Sequence, residues 1–485
     1  MVFSSLLFLF AFLPLNLLCY HFAPGLQRKN LVMLCFSLVF YAWAGPKYVL
    51  LLVGMALADW FFCLRMDRVG ATYWQRKLNL ILACVVDLGL LCVFKYLTFL
   101  LENTNRWFGW PEDVPQILLP IGISFYTFQL LSYVVDVYRR DIPAQRSFPK
   151  LLLYVSLFHQ CVAGPIVRYQ DIADEIDYRH ASRQEIADGI GRFTVGLAKK
   201  AILANPCGSL ADIFLCSSSL SFSDMLAQLS SRSALSLWLG VLCYTLQIYL
   251  DFSAYSDMAI GMGRMIGFHY RENFDYPYIA RSVTEFWRRW HISLSQFFRD
   301  YVYIPLGGNR CGVLRQIRNL AVTWLLTGLW HGASWNFLLW GAYYLIFLLI
   351  EKFLLRGRLE RLPSLVRRCY VLLVVALGWL IFRVTSMTCL GAAFLGLFGG
   401  NGNPWTDYET TVTLRSYIVF LAVAILACTP LVRNLYRRLN RAIDGMPILQ
   451  KPWTVLQCAV PVLLLILSTA ALVGDQYNPF LYYRF

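Results

Sequence analysis

Two histidines, each beside a tryptophan, stand in the middle of an otherwise apolar chain. They are His291 in FWRRWHISLS and His331 in GLWHGASWNF. Because His331 lies between the apolar runs AVTWLLTGLW and FLLWGAYYLIFLLIE, the sequence predicts that it sits at or near membrane depth. An ionisable side chain costs a few kcal/mol to insert there, so an intramembrane histidine is a functional candidate by default. With an ordinary pKa of about 6.5, a neutral imidazole suits a general base that takes a proton from an attacking hydroxyl.

The residues around each histidine leave two interpretations open. Gly328, Gly332 and Ala333 would let backbone or substrate approach His331 closely, and they make a broken helix plausible. Such a break is tolerated in a membrane only where it lines a cavity. The alternative is a histidine that is hydrogen-bonded to a neighbouring helix. For His291, spacing alone favours an interfacial histidine in an aromatic belt over a catalytic group.

Four further residues are candidates for binding a donor or for lining a tunnel. Arg288 and Arg289 could hold the phosphates of an anionic donor, or equally contact anionic lipids. Trp290 and Asn336 stand next to the two histidine motifs. The sequence contains no serine-hydrolase elbow, phosphate-binding loop, zinc-protease motif or dinucleotide fingerprint. Its 14 cysteines form no CxxC pair, so we predict no metal site and no bound cofactor.

The elements that must position these residues are transmembrane helices. The chain has 485 residues, of which 58% are hydrophobic and only 15% charged, whereas soluble proteins are nearer 45–50% apolar and about 25% charged. Long continuous apolar runs exclude a β-barrel and predict an all-α polytopic membrane protein. We expect one membrane domain over 1–485, with a core motif region at 119–341 and a tail at 475–485, and no nucleic-acid partner.

The apolar runs predict about 11 to 13 transmembrane or re-entrant helices. Polar to amphipathic segments at 168–193 and 271–318 predict interfacial helices, among them one amphipathic helix over 282–303. Basic clusters are typical of cytoplasmic loops, and their positions place both chain termini outside the cytoplasm. This topology accounts for most of the net charge of +15, although part of the charge could attract an anionic substrate. The strong runs are 3–22, 46–64, 78–101, 117–137, 234–250, 333–351, 370–387, 416–432 and 454–473, and the weaker runs are 31–44, 151–166, 194–215 and 317–330.

Five stretches of the sequence resemble the membrane-bound O-acyltransferase (MBOAT) family, and they are most similar to its bacterial branch of alginate and peptidoglycan O-acetylation and teichoic acid D-alanylation. They cover about a third of the chain. The intact PLGGNR and DFSAYSDMAIG are more similar to the acetyl branch than to the D-alanyl branch. The stretches are LPIGISFYTFQLLSYVVDVYRR, FHQCVAGPIVRYQDI, YLDFSAYSDMAIGMGRMIGF, ENFDYPYIARSVTEFWRRWHISLSQFFRDYVYIPLGGNR and GLWHGASWNFLLWG.

The resemblance implies that His331 is the catalytic histidine and His291 a second active-site histidine. It implies a ring of tilted helices around a thinner centre, with a tunnel that joins a cytoplasmic donor to an outer acceptor. The expected donor is acetyl-CoA, and the expected partner is an extracytoplasmic SGNH-type acetyltransferase. The ending FLYYRF resembles an F-x-Y-x-x-F motif of this branch, so Tyr482 could receive the acyl group. The alternative is that the tail is only a docking peptide.

Three functions remain open from the sequence. The first is acetyl transfer from a cytoplasmic thioester across a bacterial cytoplasmic (inner) membrane, for O-acetylation of an envelope or exported polysaccharide. The second is D-alanyl transfer to teichoic acid by the same fold. The third is a transporter or flippase of a lipid-linked sugar. The absence of a sequence repeat and of paired intramembrane carboxylates counts against transport.

Overall fold

The protein is a bundle of helices, several of them long enough to cross a membrane. The computed structural model describes residues 1–110, 114–162, 164–217 and 220–474. Within these ranges the chain forms helices and loops and no strand, which confirms the predicted all-α polytopic class. Seven helices are long and apolar enough to span a membrane: Pro46–Met66, Tyr73–Phe108, Ala234–Met265, Trp335–Leu354, Ser364–Arg383, Tyr408–Ala427 and Pro447–Gly474.

Shorter helices contain the remaining apolar runs. Phe8–Phe22 and Met387–Leu397 are apolar but short. The strong run 117–137 and the weaker runs lie in helices that do not reach the same length and apolar character. The seven spans therefore account for part of the 11 to 13 transmembrane or re-entrant helices expected. The other main helices are Leu26–Ala42, Ile123–Arg139, Phe148–Ser156, Phe158–Cys161, Tyr169–Asp177, Arg183–Ala198, Asn205–Phe214, Phe222–Ser231, Val283–Arg289, Ile292–Phe298, Val313–His331 and Leu431–Asp444.

The helix Ala234–Met265, here called the central helix, is surrounded by protein. Within its most apolar 18-residue stretch, 83% of the residues are buried, against 6% to 44% for the other six spans. Small residues bring it close to Arg183–Ala198: a Cβ atom on Gly196 would lie 2.7 Å from the carbonyl oxygen of Ala254. Close approach through small residues is typical of helix packing in membranes.

Buried and partly buried ion pairs join the central helix to the chain that precedes it. Arg192 Nη2 lies 2.9 Å from an Asp257 carboxylate oxygen, and Lys199 pairs with the other oxygen of the same carboxylate. Lys200 Nζ lies 2.8 Å from Asp251 Oδ1. Asp251 and Asp257 of the central helix therefore each have a cation from a neighbouring helix within contact distance.

The segment 282–303 differs from the single amphipathic helix that the sequence predicts. It forms two helices, Val283–Arg289 and Ile292–Phe298, separated by a bend at His291, whose φ is 43°. The bend is stabilised from outside the segment, because Ile292 N–H donates to the Asn273 carbonyl at 2.9 Å and Asp275 N–H donates to the Arg289 carbonyl at 3.0 Å. The apolar side of the segment packs into the protein core instead of an interface, with Val283, Phe286, Trp287, Trp290, Leu294, Phe297 and Phe298 all buried.

Candidate active site

His331 is the last residue of the helix Val313–His331, and the chain breaks immediately after it. Gly332 ends this helix and Trp335 begins the next one, so the predicted break beside His331 is confirmed. A Cβ atom on Gly328 would lie 2.3 Å from the carbonyl oxygen of Phe337, and one on Gly332 would lie 2.3 Å from the Phe337 ring. The small residues around His331 are thus required by the close approach of the following helix.

The His331 side chain is 2% exposed and is enclosed by aromatic rings. Its ring centroid lies 4.9 Å from that of Trp340, 5.0 Å from that of Trp330 and 5.2 Å from that of Phe382. Such a site excludes bulk water and strengthens every electrostatic interaction inside it. It is a suitable environment for an imidazole that takes and returns a single proton.

His291 is also buried, at 1% exposure, and its hydrogen bonds define its tautomer. Asn273 Oδ1 accepts from Ser293 N–H at 3.1 Å, which fixes the orientation of the Asn273 amide. The same oxygen lies 3.2 Å from His291 Nδ1, so Nδ1 carries the hydrogen and donates it. His291 Nε2 then holds a lone pair, and it is buried without a hydrogen-bond partner among the residues that the structure describes.

Burial also sets the charge of His291, which lies in the bend between two short helices and outside the seven spans. It lowers the pKa of His291 to about 3, because the imidazolium form loses its hydration. The imidazole is therefore neutral at physiological pH. An interfacial histidine in contact with lipid headgroups does not fit this position.

Trp330 brings the two histidines into one site. Its ring centroid lies 5.8 Å from that of His291 and 5.0 Å from that of His331. The structure thus places together the two histidines that lie in separate sequence motifs.

A lysine outside the histidine motifs lies beside this pair. Lys95 is 8% exposed, in the middle of the span Tyr73–Phe108, and its Nζ donates to the Trp330 carbonyl and, at 2.9 Å, to Ser124 Oγ. The lysine was detectable in the sequence, since it is a lone ionisable residue in the apolar run CVFKYLTFLL.

The two predicted arginines are more exposed than the histidine pair. Arg288 is exposed at the end of the helix Val283–Arg289. Arg289 is partly exposed, and its guanidinium is engaged by Asp275 at 2.7 Å and by Glu285 at 3.0 Å. An anionic donor that bound Arg289 would have to compete with two carboxylates.

Trp290 and Asn336 are buried next to the histidine motifs. Trp290 is 1% exposed, and its ring centroid lies 4.7 Å from that of Trp379. Asn336 Nδ2 donates to the carbonyls of Ile381 and Phe382, at 3.2 Å in both cases. Asn336 therefore holds the backbone of Phe382, whose ring packs on His331. The remaining candidate, Tyr482, and the tail 475–485 lie outside the described residues.

Two buried carboxyls contradict one expectation from the sequence. Asp59 in Pro46–Met66 and Asp87 in Tyr73–Phe108 are both 0% exposed and lie close enough to interact. The expectation that the chain has no paired intramembrane carboxylates is therefore wrong. Each aspartate is alone in its own apolar run, so their pairing arises only when the two helices pack together.

Comparison with known proteins places this site in a family. The sequence pattern of the membrane-bound O-acyltransferase family matches residues 139–394. The chain is 37% identical to a Pseudomonas putida protein named "Probable alginate O-acetylase" over the full length of both. It is 32% identical to the peptidoglycan O-acetyltransferase of Helicobacter pylori over 83% of this chain and 80% of that protein.

A more distant relative has a different named activity. The teichoic acid D-alanyltransferase of Bacillus subtilis is 26% identical over 50% of this chain and 62% of that protein. The family match covers more than half of the chain and includes both His291 and His331, and the two relatives named for O-acetylation align with 83% and 100% of it. The chain belongs to the membrane-bound O-acyltransferase family and is an O-acyltransferase embedded in a membrane by several helices.

Proposed function

We propose that this enzyme transfers an acetyl group for the O-acetylation of an envelope or exported polysaccharide. The observation that carries the proposal is the pair of buried histidines on either side of Trp330, enclosed by aromatic rings. The proposal is supported by similarity over the full chain to a protein named as an alginate O-acetylase. D-alanyl transfer is less well supported, because the D-alanyltransferase of Bacillus subtilis aligns with only half of the chain.

In the proposed reaction His331 acts as the general base and acetyl-CoA is the donor. His331 takes the proton of an acceptor hydroxyl while the hydroxyl oxygen attacks the thioester carbonyl carbon. The new C–O bond forms, the C–S bond breaks, and the proton passes from His331 to the departing thiolate. His291 orients the reacting groups through Nε2, which has no hydrogen-bond partner among the described residues. The aromatic enclosure keeps water from hydrolysing the thioester.

The proposal includes a direction across the membrane. We place the enzyme in a bacterial cytoplasmic membrane with both termini outside, the donor inside and the acceptor outside. An extracytoplasmic SGNH-type acetyltransferase is the proposed partner, and Tyr482 of the tail is the proposed carrier of the acyl group. Arg288 and Arg289 are proposed to attract the anionic donor to the cytoplasmic entrance. The basic loops of the sequence support this orientation through the positive-inside rule.

The test uses purified protein in nanodiscs with acetyl-labelled acetyl-CoA and a membrane extract that supplies acceptor and partner. Wild type should consume the thioester, and His331→Ala should reduce consumption to the protein-free rate. His21→Ala is the matched control, since His21 is an exposed histidine at the end of Phe8–Phe22, and it should keep wild-type activity. Loss of label on the protein in Tyr482→Phe would support the tail as carrier.

Two results would contradict the proposal. If wild type leaves acetyl-CoA intact under these conditions but consumes a D-alanyl carrier-protein thioester, the donor is D-alanine. If neither donor is consumed, transport becomes the better interpretation. The buried pair of Asp59 and Asp87 is the structural feature that favours transport, because intramembrane carboxylates mark ion and proton pathways. A transporter would keep its function in His331→Ala.

A further inference from the structure

We propose that Lys95 and Tyr96 form a clamp that holds the C-terminal end of the helix Val313–His331 and so positions His331. The two clamp residues are positioning residues, since they contact the backbone before His331 and not the reacting atoms. The inference rests on the proposed role of His331 as general base. The site then requires a third part of the chain besides the segments that carry His291 and His331. This part lies more than two hundred residues before His331 in the sequence.

The clamp meets the helix where its backbone needs partners. The last carbonyls of a helix have no intrahelical donor and must be satisfied from elsewhere. Tyr96 Oη donates to the Leu329 carbonyl at 2.7 Å, which also accepts from Gly332 N–H at 3.1 Å, and Lys95 Nζ donates to the Trp330 carbonyl. The two residues immediately before His331 are thus held by consecutive residues of one helix.

A local change of helix geometry allows consecutive side chains to reach consecutive carbonyls. Residues Cys92–Tyr96 form a π-helical turn within the span Tyr73–Phe108. A π-turn contains more residues than an α-turn, and therefore the angle between successive side chains around the helix axis is smaller. Such turns occur frequently at functional sites. The turn places the Lys95 ammonium and the Tyr96 hydroxyl side by side on the His331 helix.

Lys95 is anchored on a third element as well. Its Nζ donates to Ser124 Oγ at 2.9 Å, and Ser124 is 1% exposed at the start of Ile123–Arg139. That start is itself fixed, because Gly122 has a φ of 74° and a Cβ atom there would lie 2.3 Å from the Cys161 carbonyl oxygen. The ammonium therefore connects the His331 helix to a rigid neighbour. An apolar side chain would avoid the cost of burying a charge at this depth, but it could not make these bonds.

The experiment compares Lys95→Met with Lys77→Met in the nanodisc assay of acetyl-CoA consumption. Lys77 is the matched control, since it is a lysine of the same helix that contacts the rings of Tyr73 and Trp74 at 6.0 Å and 5.3 Å. We expect Lys95→Met to lower kcat by about 100-fold, the loss that a misplacement of about 1 Å produces. The KM for the thioester should remain within about twofold of wild type, because donor contacts are retained. Lys77→Met should match wild type in both constants.

Two further variants separate positioning from loss of fold. Tyr96→Phe removes one hydroxyl and should lower kcat by about tenfold with KM unchanged. In Lys95→Ala, added methylammonium should restore part of the lost kcat by occupying the vacated volume and donating to the Trp330 carbonyl. Tetramethylammonium cannot donate a hydrogen bond and should restore nothing. A kcat for Lys95→Met within about threefold of wild type would overturn the clamp. Equal rescue of Lys95→Ala by methylammonium and by tetramethylammonium would overturn it as well.

A readout that does not depend on activity keeps this inference distinct from the proposed function. Amide hydrogen exchange over residues 326–334 should be faster in Lys95→Met than in wild type, and unchanged in Lys77→Met. If wild type consumes no acyl donor, the proposed function fails, while faster exchange in Lys95→Met still supports the clamp. If wild type is active and exchange in Lys95→Met equals that of wild type, the clamp fails and the proposed function stands.

Discussion

At the scale of single residues, the contact between His291 and Asn273 decides what the second histidine can do. The Asn273 amide is oriented by Ser293 N–H, and it in turn fixes the hydrogen on His291 Nδ1. His291 Nε2 is then the nitrogen that holds the lone pair, and it is buried without a hydrogen-bond partner among the described residues. The spacing of the sequence favoured an interfacial position for His291, because a linear pattern does not reveal the bend that turns this residue inward.

Replacing the residue that orients His291 should therefore impair catalysis. We expect Asn273→Ala to lower kcat for acyl transfer by about 10–100-fold, the range found when a partner that orients a metal-bound histidine is lost. Asn440→Ala is the control, since Asn440 Oδ1 also accepts hydrogen bonds, from Trp453 and Gln457, but lies on the helix Leu431–Asp444. Steady-state kinetics of both variants checks this prediction, and equal kcat values in the two would refute it.

At the scale of elements, the site depends on how closely two consecutive helices approach each other. Val313–His331 and Trp335–Leu354 meet at Gly328 and Gly341, where a Cβ atom on either would lie 2.5 Å or less from a backbone oxygen of the other helix. The sequence correctly predicted a helix break at this point, because small residues flank an intramembrane histidine. It could not show which backbone comes close.

The close approach of the two helices leaves no room for a side chain at Gly328. Gly328→Ala should push the two helices apart and lower the free energy of unfolding by about 1–3 kcal/mol, as overpacking does. Gly54→Ala is the control, since Gly54 is exposed on Pro46–Met66 and a Cβ atom there would meet nothing within 4 Å. Thermal unfolding in detergent measures both variants, and a melting temperature for Gly328→Ala at or above that of Gly54→Ala would contradict the prediction.

At the scale of the whole molecule, the sequence predicted the membrane class, most of the helices and both histidine motifs. These features are local: an apolar run or a dense motif carries its own signal. What the sequence missed is non-local, as in the contact of Lys95 with Trp330 and the meeting of Asp59 and Asp87. Each of these groups is one polar residue in an apolar run, and its partner is defined only when distant helices pack.

A charged cluster outside the membrane spans makes the stability of the whole molecule depend on pH. His269, after the central helix, lies 2.8 Å from Glu175 and 3.1 Å from Glu185. Burial alone would lower the pKa of His269, but the hydrogen bonds and charges of the two glutamates outweigh it, and the pKa is raised from its ordinary value of 6.5. A raised pKa in the folded state stabilises the fold below about pH 6.5, and this contribution is lost as the pH rises through the folded-state pKa.

The consequence is measurable as a change in melting temperature with pH. Wild type should melt at a higher temperature than His269→Gln at pH 6, and the difference should shrink as the pH is raised above 6.5. The difference should be modest, because His269 is about half exposed. His180→Gln, which alters another exposed histidine, should show no such trend. If the difference in melting temperature between wild type and His269→Gln increased with pH, the predicted direction of the pH dependence would be wrong.

The ion pairs of the central helix have a consequence for how the chain enters its membrane during synthesis. Asp251 and Asp257 would each cost several kcal/mol if the central helix were placed in lipid alone. Their partners, Arg192, Lys199 and Lys200, all precede the central helix in the chain. The cations are therefore already made when the carboxylates emerge from the ribosome. Both carboxylates can leave the insertion machinery already paired with a cation, and reversing the order of these helices in the gene would expose unpaired carboxylates to lipid.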